Sequence, residues 1–140
     1  MSSGRSGQRP TCFFMKYIAA FFTFFIIIVI VLADRDAIPP FIKVLYDFEN
    51  GDKLGHFILY GLLNFFITLT FIRALPNRDA SRVALSVGLI LALIVTAEEF
   101  SQQFFSARTF DLVDLAASFV GLLVGGWAAW QIKKRRSSSG

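Results

Sequence analysis

Four long apolar blocks alternate with short polar connections along this chain. They run from Phe13 to Ala33, Leu54 to Ile72, Val83 to Phe105 and Leu112 to Ile132. Each reaches the roughly 20 residues a helix needs to cross a hydrocarbon core of about 30 Å. Helices are expected because an open strand edge would leave backbone groups without partners in lipid. The pattern predicts an all-α, four-helix transmembrane bundle with no internal repeat. Residues 13–132 form the membrane domain. Residues 1–12 and 133–140 are tails whose Ser, Gly and basic composition reads as disordered.

The connection between the first two blocks is more than plain coil. After Pro39-Pro40, Phe41, Leu45 and Phe48 recur at helical spacing, and Asn50-Gly51 ends the run. A short interfacial helix fits this spacing, and so does a structured loop holding a few buried aromatics. The first block could be mistaken for a cleaved signal peptide, with Val31 and Ala33 as the small residues before the cut. Its apolar run exceeds the roughly 7–15 residues of a signal core, which favours a retained span.

Composition agrees with this reading. The chain is 55% hydrophobic, with 17 Phe and a mean hydropathy of +0.60, too apolar for a soluble domain of its size. Its pI near 9.6 does not point to nucleic acid, because no basic stripe with interleaved aromatics occurs. The positive charge lies in the connections instead. Ten of the 14 basic residues fall at the two ends and between the second and third blocks, with one acid, Asp79. The opposite side holds Arg35, Lys43, Lys53 and Arg108 with the other nine acids. The positive-inside rule therefore expects both termini in the cytoplasm. Cys12 stands alone, so no intrachain disulfide can form.

The polar residues inside the blocks are not scattered. At about 100° per residue, Asp52, Lys53, His56, Tyr60 and Asn64 share an arc of roughly 120° on the second block. On the third, Thr96, Glu99, Gln102, Gln103 and Ser106 share a similar arc of about 120° centred on Glu99, with Glu98 beyond its edge. On the fourth, Asp111, Asp114, Ser118, Gly121 and Gly125 lie within about 80°. Intramembrane charge costs roughly 2.5–3.5 kcal/mol per ion on insertion scales, so such stripes face protein or a wet cavity. A single outer pocket, built by three helices, accounts for all three stripes. Simpler roles exist for individual residues. Asp52 could cap the second helix, and Thr109 with Asp111 the fourth. Lys53 and Arg108 could extend to the headgroups, or Arg108 could pair with Asp114 or Glu99. Gly121 and Gly125 have the spacing of helix packing.

These residues resemble the motifs of the VanZ-like family of small membrane proteins, named after a teicoplanin-resistance accessory protein. Asp52, Lys53, His56 and Tyr60 match its Asp-Lys-x-x-His-x-x-x-Tyr opening, and Glu99 with Gln102 its Glu-x-x-Gln. Arg108 and Asp114 match its Arg-x-x-x-x-x-Asp, with Asp111 between them. Ser118 departs from the family's usual Asn, keeping a hydrogen-bonding group but losing the amide's paired donor and acceptor. The resemblance covers about residues 50 to 126. It implies a bacterial-type plasma membrane and action at the outer envelope, and assigns no reaction.

Three functions remain open on the sequence. The first is an accessory membrane protein that binds an envelope lipid, a cell-wall precursor or an amphiphilic antibiotic. Two helix N-termini at the outer face, with Lys53, His56 and Arg108, would suit an anionic group. The second is a membrane enzyme using His56, Glu99, Asp111 and Asp114 as metal ligands or as acid and base. The chain carries no HExxH, CxxC or GxSxG and no phosphatase signature, no metal site is assigned, and any cofactor is left open. The third is an ion-pair network that only braces the bundle.

Overall fold

Punctuation in the sequence divides the apolar blocks into separate helices. The computed structural model describes residues 51–104 and 110–140, the side chains of Asp52 and Gln102 excepted, together with ten positions between 17 and 41. Three long helices result: α1 (Gly51–Ala74), α2 (Ala80–Ser101) and α3 (Leu112–Ser138). Between α1 and α2, Pro76 lacks an N–H and disfavours helical geometry at Leu75. Leu75 N–H still reaches the Phe71 carbonyl at 2.9 Å, and the chain then turns. Asp79 starts α2, its Oδ1 accepting from both Ser81 N–H and Ser81 Oγ at 3.0 Å. Asp111 caps α3, its Oδ1 accepting from Val113 N–H at 2.8 Å.

Each helix is long and apolar enough to cross a membrane. The chain is therefore a multi-pass membrane protein whose described secondary structure is wholly helical. The exposed surface agrees: Leu93 and Leu123 each leave more than 70% of their area uncovered. Such surface would be a liability in water and is ordinary in lipid. The expected first span, the interfacial helix and the 1–12 tail lie largely outside the described residues. Positions described between 17 and 28 are helical, as are Pro40 and Phe41.

Lipid gives helices little hydrophobic reason to associate, so close van der Waals contact and internal hydrogen bonds must hold them. α1 and α3 run parallel and meet backbone to backbone. A Cβ built at Gly121 would fall on the Phe57 carbonyl oxygen, and one at Gly125 on that of Gly61. α2 returns antiparallel and buries a single row, Val83, Val87, Leu91, Val95 and Glu99, every fourth residue. On α1, Tyr60, Asn64, Thr68 and Ile72 form the matching buried row. Such rows are the ridges by which helices interdigitate.

Two boundaries differ from the sequence expectation. The third span was expected to run to Phe105, but the α-helix ends at Ser101 and tightens to a 3₁₀ turn over Gln102–Phe104. Ser101 Oγ donates to the Glu98 carbonyl at 2.6 Å, satisfying one of the terminal acceptors. The basic tail does not start as coil at Lys133, because α3 continues to Ser138. Propagating a formed helix is cheap, and Lys and Arg at its C-terminus suit both propensity and dipole.

Candidate functional site

The N-termini of α1 and α3 and the C-terminus of α2 meet at one end of the bundle. There the helices bring Lys53, His56 and Tyr60 of α1 beside Asp111, Asp114 and Ser118 of α3, with Glu98 and Glu99 of α2 closing the third side. Lys53 Nζ sits 3.8 Å from Asp111 Oδ2 and 3.7 Å from Asp114 Oδ1, near enough for ion pairing and too far for a hydrogen bond. Lys53 thus turns to the carboxylates on α3 rather than standing clear of the bundle.

Glu99 is 2% exposed and its Oε1 accepts from Asp111 N–H at 3.2 Å. In a capping box that N–H is bonded by a Glu three residues along the same helix. Here a neighbouring helix supplies the acid. Glu98 has a different partner, accepting from Tyr60 Oη at 2.6 Å. Glutamates at the end of α2 oppose its own dipole. The Tyr60 hydroxyl and the Asp111 N–H compensate.

Ser118 links the two halves of the site. Its Oγ donates to the Asp114 carbonyl at 2.9 Å and lies 3.3 Å from His56 Nδ1. A hydroxyl has one proton, and it is committed to that carbonyl, so Nδ1 must be the donor to Oγ. In the neutral ring, Nε2 then carries the lone pair. It has no hydrogen-bond partner among the described residues. The His56 ring also tilts against Tyr60, with centroids 5.8 Å apart. One further acceptor is unfilled: Asp114 Oδ1 is buried and has no hydrogen-bond partner among the described residues.

The structure therefore brings Lys53, His56, Tyr60, Glu99, Asp111, Asp114 and Ser118 to one end of the bundle. Asp52 lies in the first turn of α1, not before it as a cap would, and its side chain is outside the described residues, as is that of Gln102. Arg108, Thr109 and Ser106 also lie outside them. Thr96 does not join the site: it is exposed and donates to the Ala92 carbonyl of its own helix at 2.7 Å. Gln103 is exposed on the 3₁₀ turn, where residues rotate about 120° each instead of 100°. Asn64 lies deeper, donating to the Leu122 carbonyl at 2.6 Å and accepting from Thr68 at 2.8 Å. Glu98, placed off the polar arc by helical angle, engages because Tyr60 is long enough to reach it. Among the described residues, no three His, Cys, Asp or Glu side chains converge to hold a metal.

Fold and site together define a multi-pass helical membrane protein with a partly buried polar cluster at one end. Comparison with protein-family models, curated proteins and solved structures finds no match.

Proposed function

We propose that the chain is a VanZ-like membrane protein whose polar cluster binds the headgroup of an amphiphile at the outer face of a bacterial-type plasma membrane. The occupant would be an envelope lipid, a cell-wall precursor or a glycopeptide-type antibiotic, held in an accessory or resistance role. The charge asymmetry along the sequence supports this orientation, with both termini cytoplasmic. The order and spacing of the motifs from Asp52 to Asp114 support the family.

One observation carries the binding reading. Among the described residues, Asp114 Oδ1 is buried without a hydrogen bond and faces only the Lys53 ammonium, at 3.7 Å, while the neutral His56 ring leaves its Nε2 lone pair in the same cluster. Leaving a buried acceptor unfilled costs roughly 1–3 kcal/mol, so a ligand that donates to it gains more than ordinary hydrogen bonding. Two of the donors first expected to attract a bare anion, Lys53 and the N-terminus of α3, are engaged. Lys53 faces two aspartates, while Asp111 and Glu99 occupy the N-terminus of α3. A headgroup with amine or hydroxyl donors therefore fits better than a bare phosphate.

The test is susceptibility of a host expressing the chain to a lipidated glycopeptide, beside the Asp114→Asn and His56→Phe variants. Wild type should lower susceptibility, and both variants should lose the effect while keeping wild-type folded yield. No effect from folded wild type rejects the proposal. A second reading, a structural brace, is favoured by the pairing of Lys53 with two aspartates. It requires effect and folded yield to fall together in every variant.

A further inference from the structure

We propose that the groove between α2 and α3 at the basic end of the bundle binds one anionic phospholipid, its acyl chain in the groove and its phosphate at the mouth. This site lies at the opposite end from the polar cluster and is independent of the function proposed for it.

The groove exists because of residue size. α2 presents Ala84, Gly88 and Ala92 one turn apart, where α3 presents Gly126. At Gly61, Gly121 and Gly125, small residues let backbones close together. Here they leave a trough of about 510 Å³ lined almost wholly by carbon, within the usual range for ligand sites of roughly 300–1,000 Å³. A Cβ at Gly88 would meet only Asn64 Nδ2, at 3.7 Å, so the space above that position is open. From Ser81 to Ala92 the trough runs about 16 Å along the helix at 1.5 Å per residue. Half of a hydrocarbon core is about 15 Å, the depth of one leaflet's acyl chains.

Charge at the mouth selects the headgroup. Ser81 lines the groove beside Arg82, with Arg78 in the preceding turn. Trp130 lines it from α3, and Lys134 Nζ lies 5.1 Å over the Trp130 ring. Trp and Lys at this depth mark the membrane interface. Asp79, the acid of this end, accepts from Ser81, and its single negative charge is outweighed by Arg78, Arg82 and Lys134. No carboxylate among the described residues pairs with Arg78, Arg82 or Lys134. A second copy would bring the same positive charge to this mouth and be repelled. An anionic phosphate complements it, as in basic pockets between membrane helices.

The chain carries its own reporters, since its two tryptophans, Trp127 and Trp130, both line the groove. The full chain is reconstituted in mixtures of phosphatidylglycerol and phosphatidylcholine, with bromine on the acyl chains of one lipid or the other. Quenching of tryptophan then reads the relative affinity of the two lipids. Wild type should prefer phosphatidylglycerol by roughly 25-fold or more, two basic residues contributing about fivefold each. Gly88→Leu or Ala92→Phe, either of which fills the trough, should bring the preference to parity with unchanged circular dichroism and elution volume. Arg82→Gln and Lys134→Gln should each reduce it roughly fivefold, at about 1 kcal/mol per basic residue near the surface. Parity in wild type overturns the proposal. So does a preference that survives filling of the trough, which would be surface attraction alone. Insensitivity to either brominated lipid also overturns it: the cover is a second copy if emission changes with protein-to-lipid ratio, and the chain's own first span if it does not.

Discussion

Glu99 of α2 accepts the backbone N–H of Asp111, the residue whose side chain caps α3. One acid thus ties the end of one helix to the start of the next across the connection between them. Glu99→Gln retains a carbonyl oxygen at that position, so the folded yield should persist. Glu99→Leu should cost roughly 1–3 kcal/mol, because it leaves the N–H unsatisfied. Unfolding midpoints in mild detergent check this order. Equal loss in both variants would show that charge at Glu99, rather than its hydrogen bond, holds the helices.

The contact between Tyr60 and Glu98 should be energetically real. At 2.6 Å it has the short length of a hydroxyl donating to a carboxylate. A double-mutant cycle of Tyr60→Phe and Glu98→Gln should give a coupling of about 1–2 kcal/mol, within the range for residues in direct contact. Additive losses would mean that the two side chains act separately.

The glycines divide into two kinds. Gly125→Ala drives a methyl group into the Gly61 carbonyl oxygen. Backbone cannot yield as a side-chain end can, so this change should destabilise by at least about 2 kcal/mol through overpacking. Gly88→Ala meets one amide nitrogen at ordinary contact distance and should be nearly neutral. Thermal midpoints of the purified variants test the contrast, and equal midpoints would contradict the close approach of α1 and α3.

Much of this arrangement was legible from periodicity. Long apolar blocks located α1, α2 and α3, and the 100° rule put Lys53, His56, Tyr60, Glu99, Asp114 and Ser118 on converging faces. Side-chain length and changes of helix type were not legible in that way. Tyr60 reaches an acid that helical angle alone set aside. Gln103 and Thr96 share an arc with Glu99 only if the helix stays regular past Ser101 and if sharing an arc means sharing a depth. Thr68 extends the same row one turn beyond Asn64, to which it donates, but a threonine inside an apolar run carries little polar signal of its own. The trough beside Gly88 was invisible because small residues signal close packing and empty space alike.

Orientation follows from charge and is open to a direct check. In a Cys12→Ser background, single cysteines at Asn77 and Ser138 should resist a membrane-impermeant thiol reagent in intact cells. Cysteines at Ala37 and Gln103 should react. The reverse pattern would place the polar cluster in the cytoplasm and remove the outer-face proposal.

Asp114 Oδ1 lacks a hydrogen bond among the described residues although Lys53 Nζ lies 3.7 Å away, and mutation separates the two further donors that could complete it, a bound headgroup or Arg108. If Arg108 completes the site, the pair is a partly buried ion pair. Breaking such a pair from either side typically costs about 3–5 kcal/mol, and the second change adds little after the first. An Arg108→Lys change would also be harmful, because an ammonium cannot make the two parallel bonds of a guanidinium. If the headgroup is the donor, the free protein already tolerates the orphaned oxygen. Asp114→Asn then removes charge while Lys53 keeps Asp111 as a partner, and the backbone carbonyl that accepts from Ser118 Oγ is untouched. We expect this second pattern: Asp114→Asn with a near-wild-type unfolding midpoint, lost protection against the lipidated glycopeptide, and losses additive with Arg108→Gln. Non-additive midpoints, with Arg108→Lys as damaging as Arg108→Gln, would instead make Arg108 the missing donor and the cluster a brace.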